Sequence, residues 1–318
     1  MQITYLEAVI QAQIEEMERD ERVILMGEDI AVYGGGRIVD RFDPLRVWST
    51  PISEGSFTGV GIGAAIAGLR PIVDLGIASF MYLASDQIIN QASKLRYMTG
   101  GQIRVPIVFR CCMYYGSALA AQHSDRPYPL FLNIPGLKLV SPTTAADIKG
   151  LLKSAIRDDN PVIVFEDTKL WPIKGEVPDD PDFLVPIGKA DIKRRGTDVT
   201  IVAIGGAMRG TLEAANALAQ TGISVEVIDP RTLKPLDMDT ILTSLAKTRR
   251  LIVVENAHRV ANVGAEIAAV VCEKALDTLA KPIIRLSPPD VHVPFSPALE
   301  QLLYPGKDQV IAAVKSLL

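Results

Sequence analysis

A chain of 318 residues, 48% hydrophobic and with positive mean hydropathy (+0.22), holds enough apolar material for two globular domains. Its formal net charge of −4 and scattered lysines and arginines argue against nucleic acid or an anionic membrane surface as the main partner. The three cysteines, an adjacent pair (Cys111, Cys112) and a remote Cys272, make neither a disulfide framework nor a zinc spacing, so a reducing cytoplasmic setting is expected.

In chain order, Met1 leads into an amphipathic helix over 5–19, with Leu6, Val9, Ile10, Ile14 and Met17 on one face. Neither a signal peptide nor an Arg/Ser-rich transit segment is expected there. A strand over 23–26, a glycine-rich helix over 55–68, a strand over 71–75, a helix over about 85–98 and a strand over 105–110 then alternate. A strand over 137–140, a helix from 141 to 157 and a strand over 162–166 continue the pattern, the mark of an α/β fold with a mostly parallel sheet. The longest uncharged apolar run, 59–69, is too short for a bilayer, which needs roughly 20 residues.

Residues 167–196 change character, with four prolines, several acids and a basic cluster over 193–195. The expected division is 1–170, a linker over 171–196, and a smaller α/β domain over 197–318. That second domain opens with a strand over 199–204, Gly205-Gly206 and a helix to about 220, followed by a strand over 224–228 that ends at Asp229. This imitates a dinucleotide cradle, yet Gly-Gly-Ala-Met-Arg-Gly lacks the G-x-G-x-x-G spacing, so a plain strand-turn-helix is expected. Strands over 251–254 and 282–286, with a helix over 264–279 between them, complete it.

Glu54 is the residue that asks for chemistry. It closes Thr50-Pro51-Ile52-Ser53 and opens the most apolar helix of the chain, so its carboxylate is expected at the edge of a buried helix. An ionised group buried there needs a partner or awaits a ligand, because leaving it uncompensated costs several kcal/mol or more.

Several motifs then occur in a fixed order: Gly27-Glu28-Asp29, Thr50-Pro51-Ile52-Ser53-Glu54, Asp86-Gln87-Ile88, Lys94 with Tyr97-Met98 and Gly100-Gly101, Gln122-His123-Ser124, Pro135-Gly136-Leu137-Lys138, and Ala155-Ile156-Arg157-Asp158 with Asn160-Pro161-Val162. Through them the chain resembles, over nearly its whole length, the β subunit of the thiamine-diphosphate-dependent 2-oxoacid dehydrogenases. Asp229-Pro230-Arg231-Thr232-Leu233, Gly264-Ala265-Glu266-Ile267 and Ser296-Pro297 with Leu299-Glu300 are similar to the C-terminal domain shared with transketolases.

The resemblance implies a transketolase-like pyrimidine-binding domain followed by a transketolase-type C-terminal domain. It implies that Glu54 hydrogen-bonds the aminopyrimidine of thiamine diphosphate, promoting the tautomer that deprotonates the thiazolium carbon. Such a bond is worth more at low dielectric than in water. Phe80 matches the aromatic that stacks on that ring. Glu28 matches either a hydrogen-bond link near Glu54 or between paired sites, or a cap on the loop after the first strand. His123, the only one of three histidines in a family motif, is expected to hold a 2-oxoacid carboxylate or move a proton during acyl transfer to a lipoyl sulfur. His258 and His292 are expected at the surface or a domain interface.

Ala155, Ile156, Asp158 and Asn160, with the carbonyl of Ile107, match a loop that holds a structural potassium ion in relatives; an ordinary Asp/Asn turn is the alternative. Departures from the family pattern fall at Cys111-Cys112-Met113-Tyr114-Tyr115, at Asp125-Arg126-Pro127, and in a short loop between Gly34 and Trp48. They suggest an altered active-site mouth, with Arg126 meeting a substrate carboxylate or pairing with Asp125. The Gly-Asp-Gly segment that holds magnesium and diphosphate in this class is absent from the sequence. An α subunit would supply it in an α2β2 heterotetramer that serves a lipoyl-bearing acyltransferase core. The reading is half of an enzyme that oxidatively decarboxylates a small 2-oxoacid. The alternatives are an acetoin dehydrogenase β subunit, a transketolase-like subunit, or a scaffold without catalysis.

Overall fold

The computed structural model describes residues 1–31 and 35–318, so the start of the short loop at Gly34 lies outside the described residues. The chain divides into two units, Met1–Tyr114 with Leu130–Ile187, and Tyr115–Pro129 with Gly188–Leu318.

The first unit begins with β1 (Gln2–Thr4) and α1 (Tyr5–Arg19). Thr4 caps α1 and Glu7 reaches back to the Thr4 N–H at 2.8 Å, a reciprocal box that fixes where the helix starts. There follow β2 (Val23–Gly27), α2 (Gly36–Val39), β3 (Val47–Ser49), α3 (Glu54–Ile66), β4 (Arg70–Ile77), α4 (Leu95–Met98) and β5 (Val108–Met113). The short α5 (Tyr128–Leu132) returns the chain to this unit, which continues through β6 (Lys138–Val140), α6 (Ala145–Arg157), β7 (Val162–Asp167) and β8 (Lys174–Glu176).

Within the unit the strands lie parallel in the order β6-β7-β5-β4-β2-β3, and β8 pairs antiparallel with β1. The central strands read as continuous apolar runs because both faces are covered, one of them by α1 and α6. Across that helix pair, Glu15 accepts from buried Lys149 and Lys153 at 2.8 and 2.7 Å, while Glu16 accepts from Arg157.

Between α3 and α4 the chain departs from the single helix expected over 85–98. A 3-10 turn (Ala78–Tyr82) leads to one wide π turn (Gln87–Ala92), followed by the single turn of α4. The strand expected over 105–110 runs instead from Val108 to Met113, so Cys111 and Cys112 are buried strand residues rather than part of a mouth. Burial pushes both thiols well above their usual range.

The second unit builds a sheet in the order β14-β13-β10-β11-β9 from β9 (Asp191–Arg194), β10 (Val199–Ala203), β11 (Val225–Asp229), β13 (Leu251–Val254) and β14 (Ile284–Leu286). All neighbours are parallel except the edge strand β9. The short β12 (Thr232–Lys234) precedes α8 (Met238–Thr248). Helices α7 (Ala207–Ala219), α9 (Val263–Ala275), α10 (Pro297–Glu300) and α11 (Lys307–Leu317) complete it, and α7 and α11 bury Met208, Leu218, Val310 and Val314 in its core.

The expected linker over 171–196 holds two short strands, β8 of the first unit and β9 of the second sheet, and the division falls between Ile187 and Gly188. Residues 115–129, expected with the first domain, belong to the second unit. Long-range partners there outweigh their position in the sequence.

Candidate active site

Three of the expected residues stand at the carboxyl ends of neighbouring parallel strands. Glu28 follows β2 directly, Glu54 opens the helix after β3, and Phe80 lies three residues beyond β4. In open parallel sheets that end is where ligands bind, since the strand-to-helix turns place backbone donors and short side chains there. The Thr50 N–H donates to the Gly27 carbonyl at 2.9 Å and ties the segment before Glu54 to the end of β2. Gly27 is needed at this spot, because a Cβ on it would stand 2.2 Å from the Asp74 carbonyl oxygen.

Glu54 is 5% exposed and occupies the first turn of α3, where the helix dipole favours a negative charge. The inner face of α3 is buried through Phe57, Thr58, Gly61, Ile62 and Ala65, whereas Val60 and Ile66 remain exposed. The helix expected to be buried is therefore open on its outer face.

Glu28 is 6% exposed, and its Oε2 has no hydrogen-bond partner among the described residues. Burial, followed by the negative charges of Glu54, Asp29 and Asp74, pushes its carboxyl up to about 7. Phe80 is half-buried on the 3-10 turn after Gly76, whose φ of +60° starts the bend out of β4.

Beneath these groups lies a cluster that the sequence reading missed. Arg110 on β5 donates to Asp74 on β4 at 2.5 Å and, through Nε and Nη2, to Glu166 on β7; Trp171 Nε1 also donates to Glu166 at 3.3 Å. The other Asp74 oxygen accepts the Gly76 N–H at 3.0 Å, bracing the bend that leads to Phe80. One signal was available: three adjacent, otherwise apolar strands each carry a charged residue.

His123 is half-buried on a 3-10 turn, Ala121–His123, within the second unit. Arg126 does not pair with Asp125 as one expectation had it. Its guanidinium is buried 5.0 and 5.2 Å from the ring centres of Tyr115 and Tyr304, and Nη1 donates to the Ser124 carbonyl at 2.9 Å. His258 and His292 are exposed, and Asp229 is buried, accepting the Arg231 N–H at 3.0 Å as the plain strand-turn-helix predicts.

The potassium positions have protein partners. Ile107 O accepts from Val162 N at 3.0 Å and Ala155 O from Asp158 N at 3.2 Å. Ile156 O and Asp158 O accept from Arg70 at 2.8 and 2.7 Å. The Asp158 carboxylate meets Lys138, and Arg96 donates to the Asn160 side chain. Arg70 thus bonds two of the expected carbonyl oxygens, while those of Ile107 and Ala155 each accept one backbone N–H. Among the described residues, no cluster of three or more His, Cys, Asp or Glu is placed to hold a metal ion.

Two family models account for most of the chain: the transketolase pyrimidine binding domain matches residues 1–174 and the transketolase C-terminal domain residues 188–310. The pyruvate dehydrogenase E1 component subunit beta of Rickettsia felis is 46% identical, covering 100% of this chain and 98% of the relative. The chain belongs to the β-subunit family of the thiamine-diphosphate-dependent 2-oxoacid dehydrogenases. The acetoin:2,6-dichlorophenolindophenol oxidoreductase subunit beta of Bacillus subtilis is 44% identical over 99% of this chain and 97% of its own length. A solved structure described as a split gene transketolase, inactive beta4 tetramer, shares the fold, with a TM-score of 0.83 over 99% of this chain and 98% of that one at 24% identity.

Proposed function

We propose that this chain is the β subunit of the decarboxylating component of a 2-oxoacid dehydrogenase, acting with an α subunit on a small 2-oxoacid and delivering the acyl group to a lipoyl-bearing acyltransferase. The carrying observation is the pair of buried acids at the strand ends, Glu28 and Glu54, with one Glu28 oxygen left without a partner among the described residues. Buried polar atoms are nearly always satisfied, so such an atom marks a place where a ligand or water completes the bonding. Thiamine diphosphate, when bound, supplies a carbon nucleophile that no protein side chain offers.

The residues divide the remaining work. Glu54 would hold the pyrimidine ring through a hydrogen bond made in a dry setting, and Phe80 would offer it a flat apolar face. Glu28, with its carboxyl near 7, is poised to hold or release a proton at neutral pH beside Glu54. His123 would bind the substrate carboxylate or carry a proton during acyl transfer. Magnesium and the diphosphate fall to the α subunit in this reading. The exposed Val60 and Ile66 on α3 give an apolar face that supports a partner chain. An α2β2 assembly in the cytoplasm is the form proposed; among the described residues no helix is long and apolar enough to cross a membrane.

A second reading, acetoin as substrate, is favoured by the Bacillus subtilis relative, which matches nearly end to end. Native mass spectrometry of the chain purified from its source with thiamine diphosphate and magnesium tests the proposal. A heterotetramer carrying about two cofactors is expected, and turnover of that complex with 2-oxoacids against acetoin separates the two substrates. A self-associated species without cofactor would overturn the half-enzyme reading.

A further inference from the structure

The turn leading to His123 is held under backbone strain. Gly116, Ala118 and Ala120 have φ of +59°, +55° and +57°, and Ala120 combines this with a ψ of −166°, a region that residues with a Cβ avoid. Strain of this kind persists only where surrounding contacts over-determine it. Backbone that alternates into the left-handed region turns its N–H groups to one side and makes a concavity suited to an anion.

Here that anion is a side chain. Glu300, fully buried at the end of α10, accepts the Gly116 N–H at 2.5 Å through one oxygen and the Ala118 N–H at 3.1 Å through the other. The far end of the segment is fixed as well. Tyr128 donates to buried Glu255 at 2.9 Å, and the second Glu255 oxygen accepts the Gly264 N–H at 2.7 Å at the start of α9. Between the two anchors, Arg126 lies against the Tyr115 and Tyr304 rings. His123 sits in the middle of a segment pinned at both ends by carboxylates of the second unit.

We infer that Glu300 is a positioning residue for His123: its carboxylate holds the strained turn 116–120 and thereby sets the imidazole for acyl transfer, giving the C-terminal unit a part in the reaction. This rests on the reading of His123 given above. Glu300 touches neither cofactor nor substrate in this account and acts only through the turn.

The test uses the enzyme reconstituted with its α subunit, thiamine diphosphate and magnesium. Two turnover assays, decarboxylation with an artificial electron acceptor and reductive acylation of a lipoyl domain, are run beside hydrogen exchange of the peptide covering 115–124. In Glu300→Gln, exchange of that peptide is expected to rise ~10-fold and kcat for lipoyl acylation to fall ~10-fold, since displacement of a reacting group by about 1 Å can cost ~10². KM for the lipoyl domain stays within about twofold, and decarboxylation with the artificial acceptor falls less than about threefold. A purely structural residue would lower both assays together.

Unchanged exchange, or loosened exchange with wild-type acylation, would overturn the inference. His123→Ala separates the failures. If it loses acylation while Glu300→Gln does not, the inference alone falls; if it keeps acylation, the reading of His123 falls and takes the inference with it. Should Glu300→Gln not assemble, Ala120→Gly relieves the strain without touching the carboxylate. Faster exchange and slower acylation are expected, and no change in either would count against the inference.

Discussion

Two groups of acids are buried in the first unit, and their surroundings separate them. Asp74 and Glu166 are 8% and 0% exposed, and both hydrogen-bond Arg110. Glu28 and Glu54 are 6% and 5% exposed, yet the charges that raise the Glu28 carboxyl are all negative and one of its oxygens has no partner among the described residues. Burial is nearly equal in the two groups, so burial alone does not mark a site. What differs is satisfaction: Asp74 and Glu166 are paired with Arg110, whereas Glu28 keeps a buried oxygen with no partner among the described residues.

That contrast can be broken from either side, and the largest effect belongs to the closed group. Arg110→Met leaves two buried carboxylates without their cation and is expected to cost about 3–5 kcal/mol in urea unfolding. Loss of turnover with wild-type stability would instead show the triad to be part of the chemistry.

For the open group the sign is opposite. The Glu28 carboxyl rises from the ordinary 4.5 to about 7 in the folded state, so the folded chain binds this proton more tightly than the unfolded one. Without cofactor, stability therefore falls as pH climbs from about 4.5 to 7 and stays low above that. Glu28→Gln should remove this slope and raise the apo melting temperature at pH 8; an unchanged pH profile would mean that water already satisfies the acid. Buried Glu255, also raised to about 7 by burial, adds a slope of the same sign in the second unit, which Glu28→Gln leaves in place.

The third effect is catalytic. Glu54→Gln should fold and assemble but lose ~10²-fold in turnover, ~2.7 kcal/mol of transition-state stabilisation. Wild-type turnover would remove Glu54 from the site.

The parallel sheet, the position of Glu54 at a helix start and the boundaries of α1 were legible because each has a local signal: continuous apolar strands, a glycine-rich apolar run, a reciprocal cap. Glu28 could be placed, but its missing partner depends on Glu54, Asp29 and Asp74 meeting in space. The second-unit allegiance of 115–129 was not legible, since it rests on Glu255 and Glu300, more than 120 residues away along the chain. The contacts of Arg70 with the expected potassium carbonyls were not legible for a similar reason. Arg70 lies more than 80 residues before the carbonyls it occupies.

Gly61 sits midway along α3, where a glycine costs about 1 kcal/mol against alanine, and there a Cβ would come within 2.7 Å of Val73 Cγ2. The absent methyl works as a shim: it sets how far the helix stands off the sheet, and therefore the height at which Glu54 meets whatever occupies the strand ends. A single carbon at position 61 would act as a vertical adjustment on a group seven residues away, changing the reach of the acid without altering its chemistry.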